Sequence, residues 1–379
     1  MNNTQDLQVS DDPALLDLML ADTRQAPPLY KPTNYWAVLE RSLLQELREI
    51  GLHDFRRRQN SVLSRFGATD EVPRPVQVKL SQIRWLYNRF ANRIPFWPAL
   101  LEAASDFLSR NLPLHTAYRL DNEQIWRLAF TYAETQGGRM KARPITEIET
   151  SLYGNPEAVL EVNGKHYTLQ FLVYYLHYVY CGRFVDFDAL NLVVELGPGA
   201  GRQAEVIKKF HKNITILLFD IPPQSYVCEQ YLKAVFPGNV VSYRNTREFT
   251  SLNNLQKGDI YIFGSWQFPL LGGMEHDLFI SCASFAEMEP DVVQNYLKYV
   301  NRSARSVYLN QIFSGKAEAR RIGLPGVLRK TVFHHYEQAL SSFELINRSN
   351  FESPLAPLSC PSNYEATFWK TKTKDRECE

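Results

Sequence analysis

LVVELGPGAGRQAEVIKKF, residues 192–210, begins as an apolar strand, turns at Gly197, Gly199 and Gly201, and continues as a helix from Arg202. Glycines at such a turn let the backbone bend tightly and approach a ligand. The helix behind them presents free N–H groups at its N-terminus. A dinucleotide fingerprint needs Gly-x-Gly-x-x-Gly, and here the third glycine falls one place early. An acid, Glu195, also stands two residues before the first glycine.

The order acid-x-Gly-x-Gly-x-Gly suits S-adenosylmethionine, which carries an ammonium, a sulfonium and a ribose diol but no phosphate. Glu195 can act on the cationic side, while the glycines leave room for the methionine part. A second strand, 214–219 (ITILLF), ends in Asp220, placed to accept hydrogen bonds from both ribose hydroxyls.

Working outward, Pro222 and Pro223 open a helix over 224–236. Strands are expected at 240–243, 259–263, 277–281, 306–312, 343–346 and 364–369, with helices at 290–300 and 334–340. Strands alternating with helices predict a parallel, doubly wound sheet. The last two strands lack a long helix between them, which predicts an antiparallel hairpin at one edge. Upstream, 1–30 reads as a loose polar arm. Residues 34–50 read as an amphipathic helix (Trp36, Leu39, Leu43, Leu44, Leu47, Ile50) capped by Gly51. Further helical patterns run over 78–91, 97–110 and 121–136. The run Arg56-Arg57-Arg58 reads as a solvated helix end rather than a phosphate contact. The expected division is a mainly helical lid, dimerisation or substrate region over 1–185 and a cofactor-binding domain over 186–379.

Three segments, VVELGPGAGR (193–202), LFDIPPQSYVCEQYL (218–232) and DLFISCASFAEMEPDVVQNYL (277–297), together resemble the bacterial sugar O-methyltransferases, as does SLYGNPEAVLEVNGKHYTLQFL (151–172). These are class I S-adenosylmethionine-dependent enzymes, and the resemblance covers roughly 145–370. It implies a Rossmann-like α/β sheet of seven strands with an antiparallel last hairpin, holding the cofactor at its C-terminal strand ends. Glu195, Gly197, Pro198, Gly199, Gly201 and Arg202 fall on the first motif. Asp220 and Ile221 fall on the ribose segment, and Ala283 and Ser284 follow the 277–281 strand. Where relatives place an aromatic residue, this chain has Ala200.

Methyl transfer to a sugar hydroxyl needs alignment and a general base. Glu287, after the 277–281 strand, is the leading candidate, or else a helix-start acid. His276 precedes that strand, and His334 and His335 lie between two late strands. Trp266 could stack on adenine, with Ser265 and Gln267 at its edge. Tyr174, Tyr175, Tyr178 and Tyr180 read as helical core packing, or as a cover over the site. A divalent metal could use Glu287, Asp277 or Glu289, but no spacing demands one.

The chain's 379 residues carry 42 Lys and Arg against 41 Asp and Glu. That balance speaks against a nucleic-acid partner and against an acidic disordered chain. Five cysteines without a CxxC give no disulfide framework or zinc cluster. No leader-like segment or membrane span is read, so a cytoplasmic enzyme is expected, acting on a small-molecule or glycosylated acceptor, with a homodimer as the favoured assembly. Competing readings are a carboxylate methyltransferase, a nicotinamide oxidoreductase and an inactive binding protein on the same fold.

Overall fold

In the computed structural model, residues 7–58, 61–70, 76–79, 117–355 and 363–372 are described. The helical pattern over 97–110, and that over 78–91 beyond Lys79, lie outside them. Val78 and Lys79 belong to β1 (Val76–Lys79), antiparallel to β2 (Ala117–Leu120).

The chain is α/β and doubly wound. After a hairpin of β3 (Leu160–Val162) and β4 (Lys165–Tyr167), the main sheet uses β5 (Leu192–Leu196), β6 (Thr215–Asp220), β7 (Val240–Val241) and β8 (Ile260–Gly264). It continues with β9 (His276–Cys282), β10 (Ala304–Gln311), β11 (Phe343–Asn350) and β12 (Glu365–Thr371). The order is β11-β12-β10-β9-β5-β6-β8-β7. The pairs from β10 to β7 are parallel, and β12 inserts antiparallel between β10 and β11. The resemblance implied seven strands; the sheet has the eight that the sequence patterns mark, with the two-residue β7 at one edge. Only Val240 and Val241 of the expected 240–243 strand pair, because Ser242 caps a one-turn helix, α7 (Tyr243–Thr246).

Strands β5 and β8 are buried at every residue, as a sheet covered on both faces requires. Period-two alternation splits their side chains. Val193, Ile216, Leu218 and Ile280 join one core, while Val194, Leu217, Phe219 and Phe279 join the other. The first core contains α4 (Leu169–Cys181), α5 (Arg202–Phe210) and α6 (Pro222–Val235). The second holds α8 (Pro290–Ser303), and α9 (Phe333–Ala339) rests against it through Tyr336. The edge strand β11 alternates between buried or half-buried and exposed, as its outer position allows.

From Leu7 onward the N-terminal arm is not loose. Asp12 caps α1 (Pro13–Gln25), whose Leu15, Leu16, Met19 and Leu20 are buried in the first core. α2 (Asn34–Ile50) ends at Gly51, φ +70°, as the apolar spacing predicts. α3 (Asn122–Arg139) starts on a capping box of Asp121 and Gln124. Tyr226 on α6 accepts the Asp12 N–H at 2.8 Å, and Tyr243 donates to Asp22 at 2.6 Å. Among the described residues, no helix is long and apolar enough to cross a membrane.

Candidate active site

Strands β5, β6, β8 and β9 end at one edge of the sheet, and the order reverses between β5 and β9. That is where open α/β sheets bind ligands. Gly197, Gly199 and Gly201 have φ of +76°, +54° and +79°, backbone that side chains other than glycine rarely adopt. A Cβ on Gly197 would lie 2.4 Å from Ser284 Oγ, and one on Gly199 2.6 Å from the Phe66 carbonyl oxygen. A Cβ on Gly201 would lie 2.8 Å from Leu232 Cδ1. The loop is thus wedged between the β9 exit, the N-terminal segment and α6. The Gly201 N–H closes the turn onto the Pro198 carbonyl at 2.8 Å.

Glu195 is 2% exposed, and its carboxylate accepts no hydrogen bond among the described residues. Burial, with Asp220 nearby, pushes it up to about 8. Asp220 ends β6 and accepts N–H bonds from Ile221 at 2.8 Å and Gly199 at 3.2 Å. Burial still pushes it up to about 7, with the Glu287 charge acting the same way. These carboxyls keep protons that an unfolded chain, starting from 4.5 and 3.8, would release. Where the folded state binds more protons, stability falls as pH rises. The pair's contribution is therefore full below pH about 4 and lost as pH passes about 7 to 8. Glu195→Gln is expected to flatten the fall in melting temperature between pH about 5 and 8.5. An unchanged slope in thermal scans would show that Glu195 ionises like a surface acid.

Glu287 lies in a short turn after β9, close enough to Asp220 for the two charges to interact. Its carboxylate accepts from Trp36 Nε1 at 3.0 Å and from Lys316 Nζ at 2.7 Å. Burial raises it, and Lys316 and Trp36 pull it part of the way back. Thr33 Oγ1 donates to the Glu287 carbonyl at 2.9 Å, so the start of α2 is fastened to this turn. Ala283, between β9 and Ser284, has φ +64°, and its N–H donates to the Asn310 carbonyl at 2.7 Å. A non-glycine residue held there stores local strain beside the glycine loop.

Arg202 is fully buried and turned toward the N-terminal segment. Its Nη2 bonds Asp70 at 3.1 Å and the Ala68 carbonyl at 3.3 Å, and its guanidinium lies 4.8 Å from the Tyr231 ring centre. Arg56 is fully buried too, not solvated. Its Nε bonds Asp70 at 2.7 Å, and its other nitrogens reach Thr150 and the Ser151 and Tyr153 carbonyls. This charged knot ties 56–70 to α5 and sets Phe66 against the loop. Asp70, Phe66, Trp36 and Lys316 carried no local sequence signal, since each acts across a long separation.

Other candidates are already engaged within the protein. Ser265 Oγ donates to the Tyr30 carbonyl at 2.7 Å, and Gln267 bridges the Gly264 N–H and the Thr246 carbonyl. Trp266 is half-buried, edge-on to Tyr243 at 5.9 Å. The hydroxyls of Tyr175, Tyr178 and Tyr180 bond Arg143, His211 and Asn347. Tyr174 lies close enough to Glu195 to feel its charge. His276 begins β9 at the opposite end from the glycines, buried, with burial pushing it down to about 4. His335 Nδ1 accepts the Val332 N–H at 3.0 Å on α9, and His334 is exposed. Among the described residues, neither bonds Glu287, Asp220 or the glycine loop. Asp277 accepts from Asn191 and Leu192, and Glu289 from Leu328, so these acids do not gather with Glu287. Among the described residues, no three His, Cys, Asp or Glu side chains are grouped to hold a metal ion.

No protein-family model matches the chain, and no curated protein sequence matches it. Among solved structures it is similar to the mitomycin 7-O-methyltransferase MmcR, at 10% identity and a TM-score of 0.34, over 65% of this chain and 60% of that one. The pyocyanin biosynthetic protein PhzM gives 10% and 0.34, over 50% and 52%. The magnesium protoporphyrin IX methyltransferase ChlM of Synechocystis PCC 6803, with SAH bound, gives 12% and 0.37, over 66% and 100%. This chain therefore spans less than two thirds of MmcR and PhzM. Likenesses this distant carry nothing about reaction or acceptor.

Proposed function

We propose that this chain is a cytoplasmic S-adenosylmethionine-dependent O-methyltransferase acting on a hydroxyl of a sugar or glycosylated small molecule. The observation that carries the reading is the pair Glu195 and Asp220. Buried Glu195 and half-buried Asp220 lie at the ends of adjacent parallel strands, flanking a turn of three left-handed glycines. Burial disfavours the ionised form of both carboxyls, and a ligand that is cationic and carries hydroxyls would stabilise it. Glu195 would face the ammonium and sulfonium side, and Asp220 the ribose diol. The residues present therefore fit S-adenosylmethionine, which when bound supplies an electrophilic methyl group for in-line displacement.

The chain's own task is positioning and proton removal. Glu287, its carboxyl raised by burial and held in place by Lys316 and Trp36, is suited to take the proton from an acceptor hydroxyl. Calorimetric titration with S-adenosylhomocysteine, beside NAD, tests the reading. Folded protein that binds no adenosyl ligand would sink it, and binding of NAD instead would point to redox chemistry. Glu287→Gln is expected to cut turnover of a hydroxyl acceptor about 100-fold or more, with S-adenosylhomocysteine affinity retained. An acceptor whose turnover survives that change is a carboxylate, which needs no base.

A further inference from the structure

The Glu287–Lys316 ion pair has an inner and an outer member. Nζ and Oε1 are 2.7 Å apart, and the Lys316 side chain is 19% exposed against 9% for Glu287, so the ammonium is the group reached first from outside. Two half-buried tyrosines flank it. The Tyr35 hydroxyl, in the first turn of α2, lies 3.5 Å from Lys316 Nζ, which also stands 5.0 Å from the Tyr35 ring centre. Tyr364, just before β12, is close enough for its hydroxyl and the Lys316 charge to interact. The backbone beside Lys316 is pinned. The Ala317 carbonyl accepts the Val327 N–H at 3.1 Å, and the Asn34 amide donates to the Leu324 and Gly326 carbonyls at 2.9 and 2.8 Å. Burial works against the Lys316 charge, but Glu287 outweighs it and raises the ammonium above its usual range.

A carboxylate offers about four acceptor positions. Trp36 and Lys316 take two of those on Glu287. Because Glu287 and Lys316 lie within hydrogen-bond distance of each other, one hydroxyl can donate to the first while accepting from the second. Passing its proton to Glu287 moves the negative charge onto the hydroxyl oxygen. Lys316 then has an anionic partner before and after the transfer, so no charge is stranded. The ion pair sums to zero, which suits a neutral hydroxyl, whereas a carboxylate would meet the Glu287 charge. Asp220 feels that same charge, so the pair stands beside the ribose acid.

We infer that Lys316 is a catalytic residue whose ammonium binds the acceptor's reacting oxygen and holds the negative charge that develops there. The inference rests on the methyltransferase reading and narrows its acceptor to a neutral hydroxyl. The acceptor O–H bond breaks and its proton passes to Glu287. An oxygen lone pair forms the O–C bond to the methyl group while the donor's C–S bond breaks, its electron pair staying on sulfur, and Glu287 returns its proton to water. The test uses the full chain with methyl glucoside, methyl galactoside and methyl rhamnoside, beside glucuronate. Calorimetry measures binding of these and of S-adenosylhomocysteine, and transfer of a labelled methyl group measures turnover. Lys316→Met is expected to weaken glycoside binding about 10-fold and to lower kcat about 100-fold or more, with adenosyl affinity unchanged. Lys316→Gln takes its place should the methionine variant not fold. Lys316→Arg keeps the charge and is expected to recover part of both losses. Lys316→Met/Glu287→Gln is expected to be slower than Glu287→Gln alone; equal rates would make Lys316 a mere holder of Glu287 and overturn the inference. Glycoside turnover that survives Lys316→Met overturns it as well. So does methylation of the glucuronate carboxyl alone, or wild type that binds the adenosyl ligand but neither binds nor methylates a glycoside. Each of these leaves the methyltransferase reading standing, whereas folded wild type without adenosyl binding overturns that reading and the role of Lys316 with it.

Discussion

Asp220→Ala is expected to weaken S-adenosylhomocysteine binding about 100-fold or more. A carboxylate that accepts from two ribose hydroxyls makes two charge-assisted bonds, each worth about 1.5–3 kcal/mol, and 1.4 kcal/mol is about tenfold in affinity. Asp220 also accepts the Gly199 and Ile221 N–H groups, so its removal frees the glycine loop and the start of α6 as well. Asp220→Asn separates the two effects only in part, because its amide keeps one acceptor oxygen and so only one of the two backbone bonds. Calorimetry on both variants, with circular dichroism to confirm folding, checks this. Alanine and wild type binding alike would remove Asp220 from the site and with it the main support for an adenosyl ligand.

Asp70→Ala is expected to destabilise the chain by about 3–5 kcal/mol, the cost of leaving buried charges without their counter-ion. Arg56 and Arg202 are both fully buried, and both bond the same oxygen of Asp70. Burial opposes the Asp70 charge, but the two guanidiniums outweigh it and hold its carboxyl below the usual range. Arg202 Nε and Nη1 already find no hydrogen-bond partner among the described residues, so no spare contact takes up the loss. Urea denaturation followed by tryptophan fluorescence measures it. A loss under about 1 kcal/mol would mean that water reaches the guanidiniums once the carboxylate is gone. A protein that remains folded is also expected to bind the adenosyl ligand less well, because 62–70 would no longer be drawn against Gly199.

What could be read from the sequence was local. The strand, three glycines and helix at 192–210 form where expected, because one short segment contains its own turn geometry. The helix over 34–50 is equally plain, with an apolar stripe and Gly51 to end it. Two local signals went unread. Asp12-Pro13 followed by Leu15, Leu16, Met19 and Leu20 is a capped, Pro-initiated helix hidden between polar flanks. Asn163-Gly164, with φ of +52° and +75°, is the tight turn of the β3–β4 hairpin. The rest of the site was not legible, for a physical reason. Arg56 looks solvated within its own run of arginines, and only Asp70 and Arg202 account for its burial. Glu287 stood out as an acid after a strand, but its partners Trp36 and Lys316 come from distant elements. Ser265 looked free to meet a ligand because its partner, the Tyr30 carbonyl, lies far along the chain, while Gln267 turns back onto Gly264 and Thr246.

The fastening of α2 to the β9 exit also sets a timetable for synthesis. Trp36 bonds Glu287 across 251 residues, and the Asn34 side chain binds the backbone of Gly323, Leu324 and Gly326 across about 290. At about 5–20 residues per second, the ribosome needs roughly 12–50 s to deliver Glu287 after Trp36. For most of that interval α1 lacks α6, which is complete only at Val235, and the start of α2 lacks the β9 exit. Helices that wait so long invite chaperone capture or aggregation. Slow, late docking of the N-terminal helices is thus built into the order in which this chain is made.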